Sequence, residues 1–143
     1  SLEGIHGVVF NELSVLDLSE CALLTDSAIS TVLSSAPNLR SLNLSLSTSL
    51  KGSFLFHHEK LPNLKVLNIS HLSEMVNETF CSRLVNVCFN LEEVDLSGCT
   101  GLDDDCIAFF NESNLVNLKV LKFDSCPLIS ALTGEILNLK YNQ

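Results

Sequence analysis

The chain has 143 residues, 46% of them hydrophobic, which is one ordinary domain with material for a core and no compositional case for disorder. Net charge is −9, from 17 acidic and 8 basic groups spread along the chain, so a nucleic-acid backbone would be repelled. No apolar run reaches the roughly 18 residues that a membrane-spanning helix needs, and residues 1–12 lack the basic start and long apolar centre of a secretory leader.

In chain order, residues 1–12 come first, and Val8, Val9 and Phe10 read as the tail of a preceding helix or a partial unit. Five leucine-bearing segments follow: LSVLDLSEC (13–21), LRSLNLSLS (39–47), LKVLNISHL (64–72), LEEVDLSGC (91–99) and LKVLKFDSC (118–126). Their first residues are 26, 25, 27 and 27 apart, a period that marks stacked units. The units run 13–38, 39–63, 64–90, 91–117 and 118–143, in a single domain covering 1–143. Positions 1, 4 and 6 are apolar in all five copies, from Leu13, Leu16 and Leu18 to Leu118, Leu121 and Phe123. Alternation around them predicts one half-buried strand per unit. Strands that recur in the same direction must be parallel, and a parallel pair needs a crossover of about a dozen residues or more, usually helical.

The crossovers carry helical stripes. Ile29 and Leu33 form one in the first unit. The second crossover, residues 50–62, is the weakest helix. Phe80, Leu84 and Val87 form a stripe in the third, Ile107 and Phe110 in the fourth, and Leu132, Ile136 and Leu139 in the fifth, each expected to face the sheet. Thr25-Asp26, Asn77 and Asp103 to Asp105 stand where side-chain oxygens cap helix starts. Asn38, Asn63, Asn90 and Asn117 each precede the next unit, where left-handed backbone would suit the return into a strand. Because helices are wider than strands, the expected fold is an α/β horseshoe, a right-handed solenoid with parallel strands on its concave face and helices on its convex face.

This pattern resembles that of leucine-rich repeat proteins, in the cysteine-containing subtype of the F-box/LRR substrate receptors. That unit reads L-x-x-L-x-L-x-x-C-x-x-[IL]-[TS]-D-x-x-[IL]. LSVLDLSECALLTDSAI (13–29) follows it, and LEEVDLSGCTGLDDDCI (91–107) follows it with Asp103 in place of Thr or Ser. Ser47 and Leu72 depart from the ninth-position cysteine. Ser47 keeps a hydrogen-bonding group there, whereas Leu72 interrupts the polar ladder. The resemblance implies a non-catalytic protein-recognition module, as in the substrate-binding repeats of a ubiquitin-ligase receptor. Alternatives are a repeat scaffold in cell-cycle control or DNA repair, or an extracellular receptor arc. No F-box is visible, so the chain reads as a piece of a longer repeat protein.

The expected binding surface is the concave face: Val15, Asp17, Asn43, Val66, Asn68, His71, Glu93, Asp95, Val120 and Lys122, with serines such as Ser45 and Ser70 also turned outward. His71 falls near Asp95 by register. The expected partner is a protein, on this face or on repeats outside the chain. No nucleic acid, membrane, cofactor or metal is expected, and uncapped terminal repeats could associate. Cys21, Cys99 and Cys126 share the ninth position, which reads as repeat geometry, and without a close CxxC pair zinc has no support. Cys81 and Cys106 have no sequence-marked base beside them, so no cysteine enzyme is expected. Free buried cysteines suit a reducing compartment, cytoplasmic or nuclear. His57-His58-Glu59 reads as a solvated loop, and Asp103 to Asp105 as a helix cap rather than a cation loop.

Overall fold

The computed structural model describes residues 7–112 and 115–142. Each leucine-bearing segment forms one short strand: β1 (Val15–Asp17), β2 (Ser41–Asn43), β3 (Val66–Asn68), β4 (Glu93–Asp95) and β5 (Val120–Lys122). The five make one parallel sheet in chain order. Register follows the units, with Leu16 beside Leu42, Leu42 beside Leu67, Leu67 beside Val94 and Val94 beside Leu121. The crossovers hold α1 (Asp26–Ser35), α2 (Glu78–Val87), α3 (Asp104–Glu112) and α4 (Ala131–Lys140).

Side chains at the fourth and sixth positions point under the helices. Leu42, Leu44, Leu67, Ile69, Val94 and Leu96 are buried, against Ile29, Leu33, Phe80, Leu84, Val87, Ile107 and Phe110 of the first three helices. The expected helix faces hold there. The expected caps hold too. Thr25 accepts from the Ala28 N–H at 3.1 Å, Asn77 from Phe80 at 2.9 Å and Asp103 from Cys106 at 2.9 Å.

Four expectations are corrected. The described part of the leading segment, residues 7–12, is turn and irregular chain, not helix. The second crossover forms only a 3-10 turn, Ser53–His57. Gly52 opens it at φ 94°, and an added Cβ would lie 2.7 Å from Phe80 Cδ2, so this backbone packs too closely for any other residue. Arg83 of α2 reaches over to donate to the carbonyls of Leu55 (3.4 Å) and His58 (2.8 Å), groups an α-helix would have used internally. In α4 the stripe Leu132, Ile136 and Leu139 faces outward, and Leu137 is the buried residue of the helix. Sequence spacing alone identifies an apolar face but not the direction it points. Finally, the asparagines before each unit are not left-handed. Their amides reach back along the stack instead. Asn38 donates to the Asn11 carbonyl (2.7 Å), Asn63 to Pro37 (2.9 Å) and Asn90 to Pro62 (3.0 Å), each acceptor two residues before the preceding unit's first leucine. Asn117 reaches the Asn90 side chain at 3.4 Å.

Left-handed backbone falls at the eighth position in all five units: Glu20, Leu46, His71, Gly98 and Ser125. That conformation aims the amide at the next unit. Glu20 N–H donates to the Ser45 carbonyl, Leu46 to Ser70, His71 to Ser97 and Gly98 to Asp124. A non-glycine residue there carries a conformational cost of about 1–2 kcal/mol, set against this ladder bond. Two further bonds tie successive units. The Asp26 carboxylate accepts from the amides of Lys51 (2.9 Å) and Gly52 (2.8 Å), and Asp104 accepts from Ser130 (2.9 Å).

The outer edge of β5 is closed by the chain itself. The Asn142 amide accepts from the Leu121 N–H (2.9 Å) and donates to the Leu121 carbonyl (2.8 Å), as a neighbouring strand would. No comparable closure is present on β1 among the described residues.

Two substitutions test these assignments by urea denaturation. Leu46→Asn keeps the amide bond and eases the left-handed backbone at a half-exposed side chain (43%), so it raises stability by about 1 kcal/mol. Asp26→Ala strips a charged acceptor from two amides of the next unit and lowers stability by about 2 kcal/mol.

Candidate functional site

A strand alternates its side chains, so what the core takes from one face leaves the third and fifth positions on the other. No helix covers that second face. At the third position Val15 and Glu93 are exposed, and Ser41, Val66 and Val120 are half-buried. Val15 is 66% exposed because β1 has no neighbour on its outer side. At the fifth position Asp17 and Lys122 are exposed, and Asn43, Asn68 and Asp95 are half-buried. Register sets Asp17, Asn43, Asn68, Asp95 and Lys122 side by side in one row across the sheet. The expected face therefore exists as a contiguous surface.

Its fifth-position residues have a second task. Asp17, Asn43, Asn68 and Asp95 each accept, through Oδ1, the N–H of the serine two residues on: Ser19, Ser45, Ser70 and Ser97, at 2.9 to 3.0 Å. These are Asx turns, and they bend the chain out of each strand. The Ser19 hydroxyl and amide hold the Asp17 carboxyl below the usual carboxylate range. Ser45 and Ser70 are pulled in and buried, contrary to their expected outward placement. The signal was legible as Asx-x-Ser in four consecutive units.

His71 is exposed at the end of β3, with its ring over Gly98. A Cβ added at Gly98 would fall 2.2 Å from His71 Nδ1. Glycine at the eighth position of the fourth unit makes room for that ring, and the ring stacks on Gly98 rather than being held by an ion pair with Asp95.

The cysteines are all free, and five of the six are buried. At the ninth position Ser47 donates to the Leu18 carbonyl (2.7 Å), Cys99 to Ile69 (3.4 Å) and Cys126 to Leu96 (3.3 Å), each the sixth-position carbonyl of the preceding unit. Leu72 makes no such bond, so the ladder breaks where the sequence expects it. Burial pushes the Cys88 thiol up to about 12 and the Cys99 thiol up to about 11, and it raises Cys81, Cys106 and Cys126 as well. These side chains pack as protonated thiols, unlike an activated nucleophile.

His57 is exposed, but His58 is half-buried, with Nε2 3.3 Å from the Ser30 hydroxyl. The solvated-loop expectation holds for His57 and is corrected for His58, whose burial, with His57 beside it, lowers its pKa. Among Asp103 to Asp105, Asp103 caps α3, Asp104 ties the next unit and Asp105 is exposed. Among the described residues no group of three or more His, Cys, Asp or Glu could hold a metal, and no helix is long and apolar enough to cross a membrane. No family model matches the chain.

The burial pattern predicts thiol reactivity. Under native conditions a maleimide labels half-buried Cys21 first, with the other five following only on the timescale of unfolding. Mass spectrometry over a labelling time course checks the order, and all six label at once in denaturant.

Proposed function

We propose that the chain is a leucine-rich repeat arc that binds a protein partner on its uncovered sheet face and carries no catalytic chemistry of its own. The observation that supports this reading is the open face of an all-parallel sheet. Parallel sheets are ordinarily covered on both sides. Here one side is filled by helices, and the other presents Val15, Val66, Glu93, Val120 and Lys122 from five strands in continuous register. A row of short strands spaces those side chains evenly, which suits an extended polypeptide better than a small molecule.

In this reading the helices lie on the convex side of a right-handed solenoid, and the Asx turns with their left-handed eighth positions set the rim. The ninth-position cysteines and the Asp26 and Asp104 bridges support the cysteine-containing repeat type. The module would then serve as the substrate-recognition part of a ubiquitin-ligase receptor or of a related intracellular scaffold. Free buried thiols favour a reducing compartment over the extracellular alternative.

The test is partner capture by the chain and by two variants. Val66→Lys with Glu93→Lys alters the open face without entering the core. Ser34→Lys, on the exposed side of α1, is the control. The proposal expects a captured protein to be lost at least about tenfold with the double variant, as truncation of a central interface pair implies, and retained with the control. Equal capture by all three forms would remove the open face as the site.

A further inference from the structure

The two ends of the stack are exposed versions of one interface. Within the chain, each unit covers the sixth- and twelfth-position side chains of the unit before it, and Leu96 and Leu102 are 0% exposed. Their counterparts in the last unit, Phe123 and Ile129, are partly exposed. With Thr100, Cys126 and Gly134 they line an open groove of about 610 Å³. At the other end Leu13, Leu16 and Leu18 are partly exposed, whereas Leu67, Ile69 and Leu96 are buried. One end lacks a following unit and the other lacks a preceding one.

The backbone carries the same complementarity. Four times the carbonyl at the second position accepts the amides of the second and third residues of the next unit: Ser14 from Arg40 and Ser41, Arg40 from Lys65 and Val66, Lys65 from Glu92 and Glu93, and Glu92 from Lys119 and Val120. The next carbonyl in the series is Lys119, and it accepts the N–H of Asn142. The Asn142 side chain completes the substitution by bonding both polar groups of Leu121. A single asparagine thus stands in for a strand.

We propose that the β5 end is the docking surface for the β1 end of a second copy of this chain, head to tail, with Ser14 and Val15 of the incoming copy replacing Asn142 on the edge. The occupant follows from continuity with the interface that joins the units inside the chain, since β1 brings the register and the apolar positions that β5 would meet in a further unit. Such an interface joins two different surfaces and does not close on itself, so association is open-ended. This inference concerns the ends of the sheet and stands independently of the partner proposed for its open face.

Sedimentation velocity of the full chain over a concentration series, from micromolar to near-millimolar, is the experiment. The wild-type chain is expected to form species that lengthen with concentration. Ala131→Arg blocks the groove and Val15→Arg blocks the β1 end, and both positions are exposed. Each variant alone is expected to be monomeric, while their mixture forms a one-to-one pair and nothing larger. Ser125→Arg and Val9→Arg replace them if either variant has an altered circular dichroism spectrum. Asn142→Ala, which clears the edge, tightens association about tenfold, the equivalent of one net hydrogen bond. Leu139→Glu, on the outward stripe of α4, leaves it unchanged. A wild-type chain monomeric throughout, a blocked variant that still associates alone, a mixture that fails to pair, or loss with Leu139→Glu would each overturn the proposal.

Discussion

The structure depends on one repeated backbone contact. The second-position carbonyl of each unit takes two amides from the unit that follows, and this happens at every junction between β1 and β5. A strand of three residues cannot hold itself in place, and neither can a crossover with one apolar face. Each is stable because its neighbour supplies the missing hydrogen bonds and the missing core wall. Register cannot slip by one residue, because that would turn Leu42, Leu67 and Val94 out of the core and bring Asn43, Asn68 and Asp95 into it.

Around that contact the side chains satisfy whatever the backbone leaves open. Where the chain leaves a strand, Asp17, Asn43, Asn68 and Asp95 close a turn, and the next amide but two swings into left-handed geometry to reach the following unit. Ser47, Cys99 and Cys126 bond the carbonyl that the turn exposes on the unit before. Asparagine amides do the same on the opposite side of the stack. Among the described residues no buried side-chain nitrogen or oxygen lacks a partner. The polar side chains that recur in the sequence are therefore largely structural. The residues with freedom to act are those the turns do not use: Val15, Val66, Glu93, Val120 and Lys122 on the face, and the two unfinished ends.

Much of this was legible before any coordinates. Apolar residues at the first, fourth and sixth positions dictated five parallel strands, because alternation has only one solution when each crossover is long enough for a helix. The caps at Thr25, Asn77 and Asp103 and the break at Leu72 followed from what those side chains can bond. Other features misled. Asn38, Asn63 and Asn90 pointed to left-handed backbone because that is a local preference of asparagine, yet their amides serve a carbonyl 26 to 28 residues away. The stripe Leu132, Ile136 and Leu139 has the same period as the buried stripe of α2. Its direction depends on how α4 rests on Phe123 through Gly134, which no spacing encodes.

By itself the sequence determined the elements, their order, their shared direction and the side chains that fill the core, because those follow from short-range periodicity and from a crossover length that admits parallel pairing. Tertiary structure alone decided which eighth-position residues take left-handed backbone, which carboxylates bridge units, and that Asn142 closes an edge. Each of those depends on a partner atom brought close by the stacking of units distant in the chain, and that proximity exists only once the sheet has formed.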